Sequence, residues 1–294
     1  MSNIFTEKYR PKTLDDMILP DEYRAKFQTM IDTEKVPHLT LSSSTPGLGK
    51  TTLAKVLINE LGLDVLWLNG SSERGIDTIK YNVQEFIGSV SILGEQKVVV
   101  IDEADALTES AQKILRGVIE STDAIFIFTC NYIDKLIPAL INRTSIFDFD
   151  VLQDQPGIKV QAAKKLVNIL DNEGVYYEGS DIKSIVQSTS SFRAMLLILQ
   201  QSILYKQVVL DESLLLQASL YDTTKLLVCQ KDFEGLRLLV KSTGNINQIY
   251  NMFYQNIEDW SPETILIVAK YNEMSKVTSS AEICALAFLT EMIK

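Results

Sequence analysis

The chain has 294 residues and a net charge of −10, with 46% hydrophobic and 22% charged residues, which is typical of a globular protein of two or three domains. The longest apolar run, 283–289, is too short to span a membrane, and residues 1–7 lack the pattern of a signal peptide. The single histidine argues against a histidine-ligated metal site or a Ser-His triad, and three widely spaced cysteines indicate buried thiols in a reducing compartment. We therefore expect a cytoplasmic protein.

The first half of the chain alternates short apolar strands with helical patterns. This alternation predicts an α/β fold with a parallel three-layer sheet, whose ligands bind at the carboxyl ends of the strands. The predicted strands are 39–41, 65–68, 97–101, 124–129 and 145–149, and the predicted helices are 51–61, 76–90, 108–119 and 138–141.

After Asp150 the pattern changes to helices alone. We predict helices over 157–172, 180–188 and 192–206, followed from about residue 209 by further amphipathic segments. Ser261-Pro262 is a favourable helix start, because serine caps a helix and proline suits its first position.

A phosphate-binding loop is predicted between the first strand and the helix after it. The residues are Thr45, Pro46, Gly47, Leu48, Gly49, Lys50, Thr51 and Thr52. Glycines let the backbone wrap an anion, the lysine reaches the β- and γ-phosphates, and Thr51 can ligate Mg²⁺. The pattern G-x-x-x-x-G-K-[ST] departs here at its first glycine, which is Ser44.

A second motif follows about fifty residues later, where the buried strand 97–101 ends in Asp102 and Glu103. Asp102 would complete the Mg²⁺ site, and Glu103 would orient and polarise the attacking water. Taken singly, the two motifs could be a glycine turn without a ligand and a core strand with a solvated turn. Their pairing favours binding and hydrolysis of ATP.

Several further strings resemble the sliding-clamp loader ATPases of the AAA+ class, which are the replication factor C small subunits and, most of all, bacteriophage clamp-loader large subunits. They are Glu7-Lys8-Tyr9-Arg10-Pro11, Val36-Pro37-His38-Leu39, the segment 68–77, the helix 111–116, Thr129-Cys130-Asn131 and Leu140-Ile141-Asn142-Arg143-Thr144. The segment 68–77 differs at two positions from the family string LNASDERGID. The resemblance implies an AAA+ ATPase domain over 1–152, a helical lid over 153–207 and a helical collar for oligomerisation over 208–294.

The resemblance also implies roles for three residues around the nucleotide. Asn131 corresponds to the first sensor, which contacts the γ-phosphate or the attacking water. Arg143 corresponds to the arginine finger, which reaches the nucleotide of a neighbouring subunit, although the family has Ser-Arg-Cys at 142–144. Arg193 corresponds to the second sensor, which acts on the same chain's γ-phosphate, although Ser190-Ser191 replaces the family's Gly-Asp. The structural alternatives are an ordinary strand-end amide and surface arginines.

The adenine and DNA contacts are implied by resemblance too. Tyr9, Arg10, Pro11 and Ile18 would line the adenine side of the pocket, with a core or linker role as the alternative. Lys80 and Arg116 would contact the DNA backbone, where contacts track phosphates without reading sequence, and the family's counterpart of Arg116 couples DNA to the active site. Solvated charges or structural ion pairs are the alternatives at these two positions. Since neither half of the chain is basic overall, DNA would bind a local stripe built across subunits.

The function implied is that of a clamp-loader ATPase subunit. Binding of ATP and Mg²⁺ would assemble it with other loader subunits in a pentameric hetero-oligomer. That assembly would hold a sliding clamp open on primer-template DNA, and hydrolysis would release both. If the chain is phage-encoded, it would act in the host cytoplasm. Two alternatives stay open: another AAA+ motor, such as a branch-migration helicase or an unfoldase, and a non-hydrolysing structural subunit.

Overall fold

The computed structural model describes residues 4–72, 76–90, 96–152, 155–243, 246–257, 260, 263–278 and 280–293. Contacts divide the chain into two compact units, Met1–Ile169 and Leu170–Lys294. The division falls inside one helix, α7 (Pro156–Glu173). The predicted boundaries at 152/153 and 207/208 stay predictions.

The first unit is built on a parallel five-stranded sheet in the order β2-β3-β4-β1-β5. The strands are β1 (Leu39–Ser42), β2 (Asp64–Asn69), β3 (Lys97–Asp102), β4 (Ile125–Cys130) and β5 (Ser145–Asp148). Each predicted strand is therefore present to within one residue at either end. All four strand pairings are parallel, so the carboxyl ends of the strands lie along one edge of the sheet.

Helices cover both faces of this sheet, as the alternation predicts. They are α2 (Asp21–Thr33), α3 (Lys50–Leu61), α4 (Ile76–Gly88), α5 (Glu109–Ile119) and α6 (Pro138–Ile141), and the short helix α1 (Phe5–Lys8) precedes them in the chain. Strand β3 shows how the layers form. Val98 and Val100 enter one core with α2 and α3, whereas Val99 and Ile101 enter a second core with α4 and α5. A strand buried on both faces reads as a continuous apolar run, which is why β3 has no polar alternation.

The second unit is largely helical. After α7 come α8 (Gly179–Ser188), α9 (Phe192–Gln201), α10 (Glu212–Cys229), α11 (Phe233–Ser242), α12 (Asn247–Gln255), α13 (Thr264–Val277) and α14 (Ala281–Met292). An aromatic core that includes Tyr221, Tyr250, Phe253 and Phe288 joins the later helices. The predicted helix start at Ser261-Pro262 lies outside the described residues. None of the described helices is long and apolar enough to cross a membrane.

One predicted helix is wrong at its carboxyl end, and with it the expectation of helices alone after residue 150. The helix over 192–206 ends at Gln201, and the chain then forms an antiparallel hairpin of β6 (Ile203–Leu204) and β7 (Gln207–Val208). Its two turn residues, Tyr205 and Lys206, have positive φ angles of 50° and 60°. Such turns usually carry Asn-Gly, so Tyr-Lys gives no sequence signal for one.

Candidate nucleotide-binding site

The predicted phosphate loop joins the carboxyl end of β1 to the first residue of α3. Gly47 and Gly49 have φ angles of 78° and 102°, a left-handed conformation that glycine adopts without strain. The backbone can therefore wrap an anion in front of the amide groups that begin α3. Ser44, which replaces the first glycine of the pattern, is not among the described residues with positive φ. Its conformation does not require a glycine.

Asp150, just after β5, holds the start of this loop, and sequence reasoning missed it. Its carboxylate accepts hydrogen bonds from the Ser43 hydroxyl and the Ser44 backbone N–H, both at 2.8 Å, and a longer one from the Thr45 N–H at 3.4 Å. Burial alone would raise the pKa of Asp150, but these donated hydrogen bonds outweigh it and hold the pKa below its ordinary value. The carboxylate thus stays charged and fixes the loop from the adjacent strand.

Lys50 points to the strand ends. The side chain is buried, and its Nζ donates to Asn131 Oδ1 at 2.9 Å and to the Ser43 carbonyl at 3.1 Å. Asn131 directly follows β4, and Asp105 accepts a hydrogen bond from the neighbouring Tyr132 N–H at 3.1 Å. The structure therefore brings the predicted lysine and first sensor into direct contact, with Asp105 bracing the turn beside them.

The two residues predicted to hold Mg²⁺ are also in contact. Thr51 donates to Asp102 Oδ1 at 2.9 Å, and the Thr129 hydroxyl donates to the same carboxylate oxygen. An alcohol and a carboxylate side by side, next to a loop that fits phosphates, form a donor set that Mg²⁺ accepts through oxygen ligands. Both residues lie at the carboxyl edge of the sheet, where the topology predicts a ligand.

Glu103 has an unusual backbone conformation. It follows β3 with a φ angle of 55°, which is uncommon for a residue other than glycine and is often found at functional sites. Its side chain accepts a hydrogen bond from Ser71, and its N–H donates to the Thr129 hydroxyl at 3.1 Å. Gly70 packs directly against this turn, since a Cβ at that position would lie 2.4 Å from the Glu103 carbonyl oxygen. The alanine that the family string has there would therefore require the Glu103 turn to shift.

The segment before α2 packs beside the phosphate loop. The Leu14 N–H donates to Glu60 of α3 at 2.7 Å, and Arg24 donates to the carbonyls of Leu14 and Met17, each at 2.7 Å. The Met17 side chain lies 3.1 Å from where a Cβ on Gly49 would be.

The predicted adenine-side residues flank this anchored segment. Tyr9, Arg10, Pro11 and Ile18 are half-buried, and Arg10 pairs with Glu7. Their contact with adenine stays a prediction.

Arg143 lies at the opposite edge of the sheet from this site. It precedes β5, whose first residue donates from its N–H to the His38 carbonyl just before β1 at 2.8 Å. Because β5 is parallel to β1, Arg143 is at the amino edge and the phosphate loop is at the carboxyl edge. The four residues of β5 alone span roughly 13 Å.

The remaining predicted residues are exposed. Arg193 lies in the first turn of α9, in the second unit, where Ser191 caps the helix by accepting from the Ala194 N–H at 3.3 Å. Lys80 is on α4, and Arg116 is on α5 with its Nε 3.6 Å from Glu120 Oε1. An ion pair was the structural alternative for Arg116, and it is present; the DNA contacts stay predictions.

Comparison with known proteins agrees with this geometry. The family model for AAA, the ATPase family associated with various cellular activities, matches residues 40–154. A replication factor C small subunit from Methanococcus maripaludis is 33% identical over 279 residues, which cover 91% of this chain and 84% of that protein. The chain belongs to the replication factor C small subunit family.

Further relatives match a smaller part of this chain or match it at lower sequence identity. The sliding-clamp-loader large subunit of Enterobacteria phage T4 is 37% identical over 179 residues, covering 59% of this chain and 56% of that protein. Three further archaeal replication factor C small subunits, one of them from Saccharolobus solfataricus, are 35 to 36% identical over 70 to 71% of this chain, and the chain spans 64 to 66% of their length. RuvB from Thermotoga maritima has a similar fold, with a TM-score of 0.58 at 19% identity over 84% of this chain and 85% of that one.

Proposed function

We propose that this replication factor C small subunit homologue is an ATP-hydrolysing subunit of a sliding-clamp loader. The observation that carries the proposal is the convergence of Lys50, Asn131, Thr51 and Asp102 through direct hydrogen bonds at the strand ends, beside a glycine loop that fits phosphates. A site that had lost hydrolysis would be expected to lack one of these groups or Glu103, and the chain retains them all.

Bound MgATP supplies the transferable phosphoryl group and the metal's charge. Lys50 neutralises charge at the β- and γ-phosphates, and the amides that begin α3 donate to phosphate oxygens. Thr51 and Asp102 would hold the metal, and Asn131 would donate from its amide nitrogen toward the γ-phosphate or the attacking water. Glu103 orients that water and polarises it. A carboxylate has acceptor sites on both oxygens, so Glu103 can keep its hydrogen bond from Ser71 and still accept one from the water.

Arg143 acts on a neighbouring subunit in this proposal. A guanidinium that approaches the γ-phosphate stabilises the charge of the transition state. The amino-edge position of Arg143 supports action in trans, since the strand length separates it from its own chain's phosphate loop. Arg193 acts in cis as the second sensor.

The partners follow from the same proposal. They are other loader subunits in a pentameric hetero-oligomer, together with a sliding clamp and primer-template DNA. Lys80 and Arg116 contact DNA phosphates, and Tyr9, Arg10, Pro11 and Ile18 surround adenine. If a phage encodes the chain, the assembly works in the host cytoplasm.

Two variants test the proposal. Lys50→Ala should abolish clamp loading when it is the sole copy of this subunit, because the phosphate charge is no longer neutralised. Intact loading by that variant would contradict the mechanism. Arg143→Ala should bind ATP normally, measured with a fluorescent analogue, while hydrolysis by the assembly collapses. Normal hydrolysis by that assembly would remove the trans role. Stimulation by branched DNA instead of clamp and primed DNA would identify a branch-migration motor.

A further inference from the structure

We propose that Glu120 is a positioning residue that holds the Arg143 guanidinium in the orientation needed for catalysis in trans. The inference rests on the proposed role of Arg143 and adds a residue to it. Glu120 is the C-cap residue directly after α5, so its carboxylate lies on an element other than the one that carries the arginine.

Two elements hold the two terminal nitrogens of Arg143. Nη2 donates to Glu120 Oε1 at the end of α5, and Nη1 donates to the carbonyl of Ala139 in α6. A guanidinium is planar, so fixing both terminal nitrogens fixes its plane and direction. It carries five N–H donors, and these two contacts use only two. The arginine side chain is 30% exposed, which leaves donors available to a phosphate from another subunit.

A second arginine keeps the cluster positive. Arg116 Nε lies 3.6 Å from the same Oε1 of Glu120, one helical turn away on α5. One carboxylate therefore serves two guanidiniums, and these three groups together carry a charge of +1. Glu120 can orient Arg143 without cancelling the charge that attracts a γ-phosphate.

The ion pair of Glu120 and Arg143 adds little to the free energy of unfolding, because ion pairs that are this exposed to solvent are weak. Its effect is on where the guanidinium points before a neighbour arrives. A flexible arginine would have to be ordered in each transition state, whereas a held one is already oriented. Glu109 and Lys113 offer a matched control on the same helix. They form an exposed ion pair at 2.6 Å that involves neither arginine and has the same i,i+4 spacing as Arg116 and Glu120.

The experiment measures kcat and KM for ATP in the complex that the tagged chain forms with its companion subunits, with clamp and primed DNA present. The variants are Glu120→Ala, Glu120→Gln, Arg143→Ala, the Glu120→Ala/Arg143→Ala double variant and the control Glu109→Ala. Thermal unfolding of each isolated chain accompanies the kinetics. Glu120→Gln has nearly the shape of the native side chain, so it reports on the lost charge even if the alanine variant folds poorly.

Arg143→Ala should lower kcat by about 10³-fold, the usual worth of an arginine finger. Glu120→Ala should lower kcat roughly ten- to hundredfold, as expected when a charged group is misplaced by about an ångström, with KM and unfolding temperature unchanged. The double variant should be no slower than Arg143→Ala, because the effect of Glu120 on hydrolysis is exerted through that residue. Glu109→Ala should match the wild type.

Two results would overturn the inference while leaving the role of Arg143 intact. One is a Glu120→Gln or Glu120→Ala complex as fast as Glu109→Ala. The other is additivity, in which the double variant is slower than Arg143→Ala by the full factor of Glu120→Ala. Normal hydrolysis by Arg143→Ala is a different failure, since it removes the trans role itself and the inference with it.

Discussion

Replacing Asp150 with alanine is expected to loosen the phosphate loop before any nucleotide binds. Asp150 lies two residues after β5, and its side chain joins that strand end to the loop. The carboxylate accepts from the Ser43 hydroxyl and the Ser44 N–H, both at 2.8 Å, and from the Thr45 N–H at 3.4 Å. Hydrogen bonds to a charged group contribute about 1.5–3 kcal/mol each. Since the site is half-buried and water can replace part of the loss, we expect the variant to lose roughly 2–4 kcal/mol of unfolding free energy.

The pH dependence gives this prediction a second test. The pKa of Asp150 is lowered in the folded protein from 3.8. Its stabilising contribution is therefore complete above that value and is lost as the pH falls through the folded-state pKa. The difference in stability between the wild type and Asp150→Ala should be constant from about pH 8 to pH 5 and shrink below about pH 4.

The assay is urea unfolding of the first unit within the full chain, together with amide hydrogen exchange at residues 44 and 45 and the affinity for a fluorescent ATP analogue. Exchange at those two amides should accelerate and nucleotide affinity should fall. Asp123→Ala, which removes an exposed carboxylate from the same unit, is the control. An Asp150→Ala protein with the stability, exchange and affinity of that control would refute the reasoning.

Two further predictions concern buried polar groups of the first unit. Gln112→Ala should cost about 2–3 kcal/mol in urea unfolding, because the buried glutamine accepts from the Ile137 N–H at 2.8 Å and donates to the Lys135 carbonyl at 3.0 Å; an unchanged midpoint would contradict this. Burial raises the pKa of Cys130 to about 12, so a maleimide at pH 8 should label the half-buried Cys229 first and Cys130 only after unfolding. Rapid labelling of Cys130 in the native protein would show that its thiol is accessible.

The strands and the nucleotide site could be predicted because their signals are local. Strand β3 is a continuous apolar run that ends in two acids, and parallel strands bring such ends to one edge of the sheet. The phosphate loop requires glycines where φ is positive, and Gly47 and Gly49 meet that requirement in the sequence. Periodicity and spacing are enough for these features.

Other features depend on contacts between distant residues, and no local pattern reports them. Asp150 touches the phosphate loop only because β5 pairs with β1, which brings residues 106 positions apart together. Glu120 meets Arg143 because α5 packs against α6, the helix that Arg143 follows. The hairpin after α9 has turn residues, Tyr205 and Lys206, that rarely adopt positive φ, so local propensity predicted a longer helix.

The most direct test of the account is ATP hydrolysis by the purified chain with its companion loader subunits, with and without clamp and primer-template DNA, and with Lys50→Ala as the control. The account predicts strong synergistic stimulation by clamp and primed DNA together, abolished by Lys50→Ala. Hydrolysis that is indifferent to both would contradict the clamp-loader function and leave an AAA+ ATPase of another kind, and no hydrolysis under any condition would favour a structural subunit.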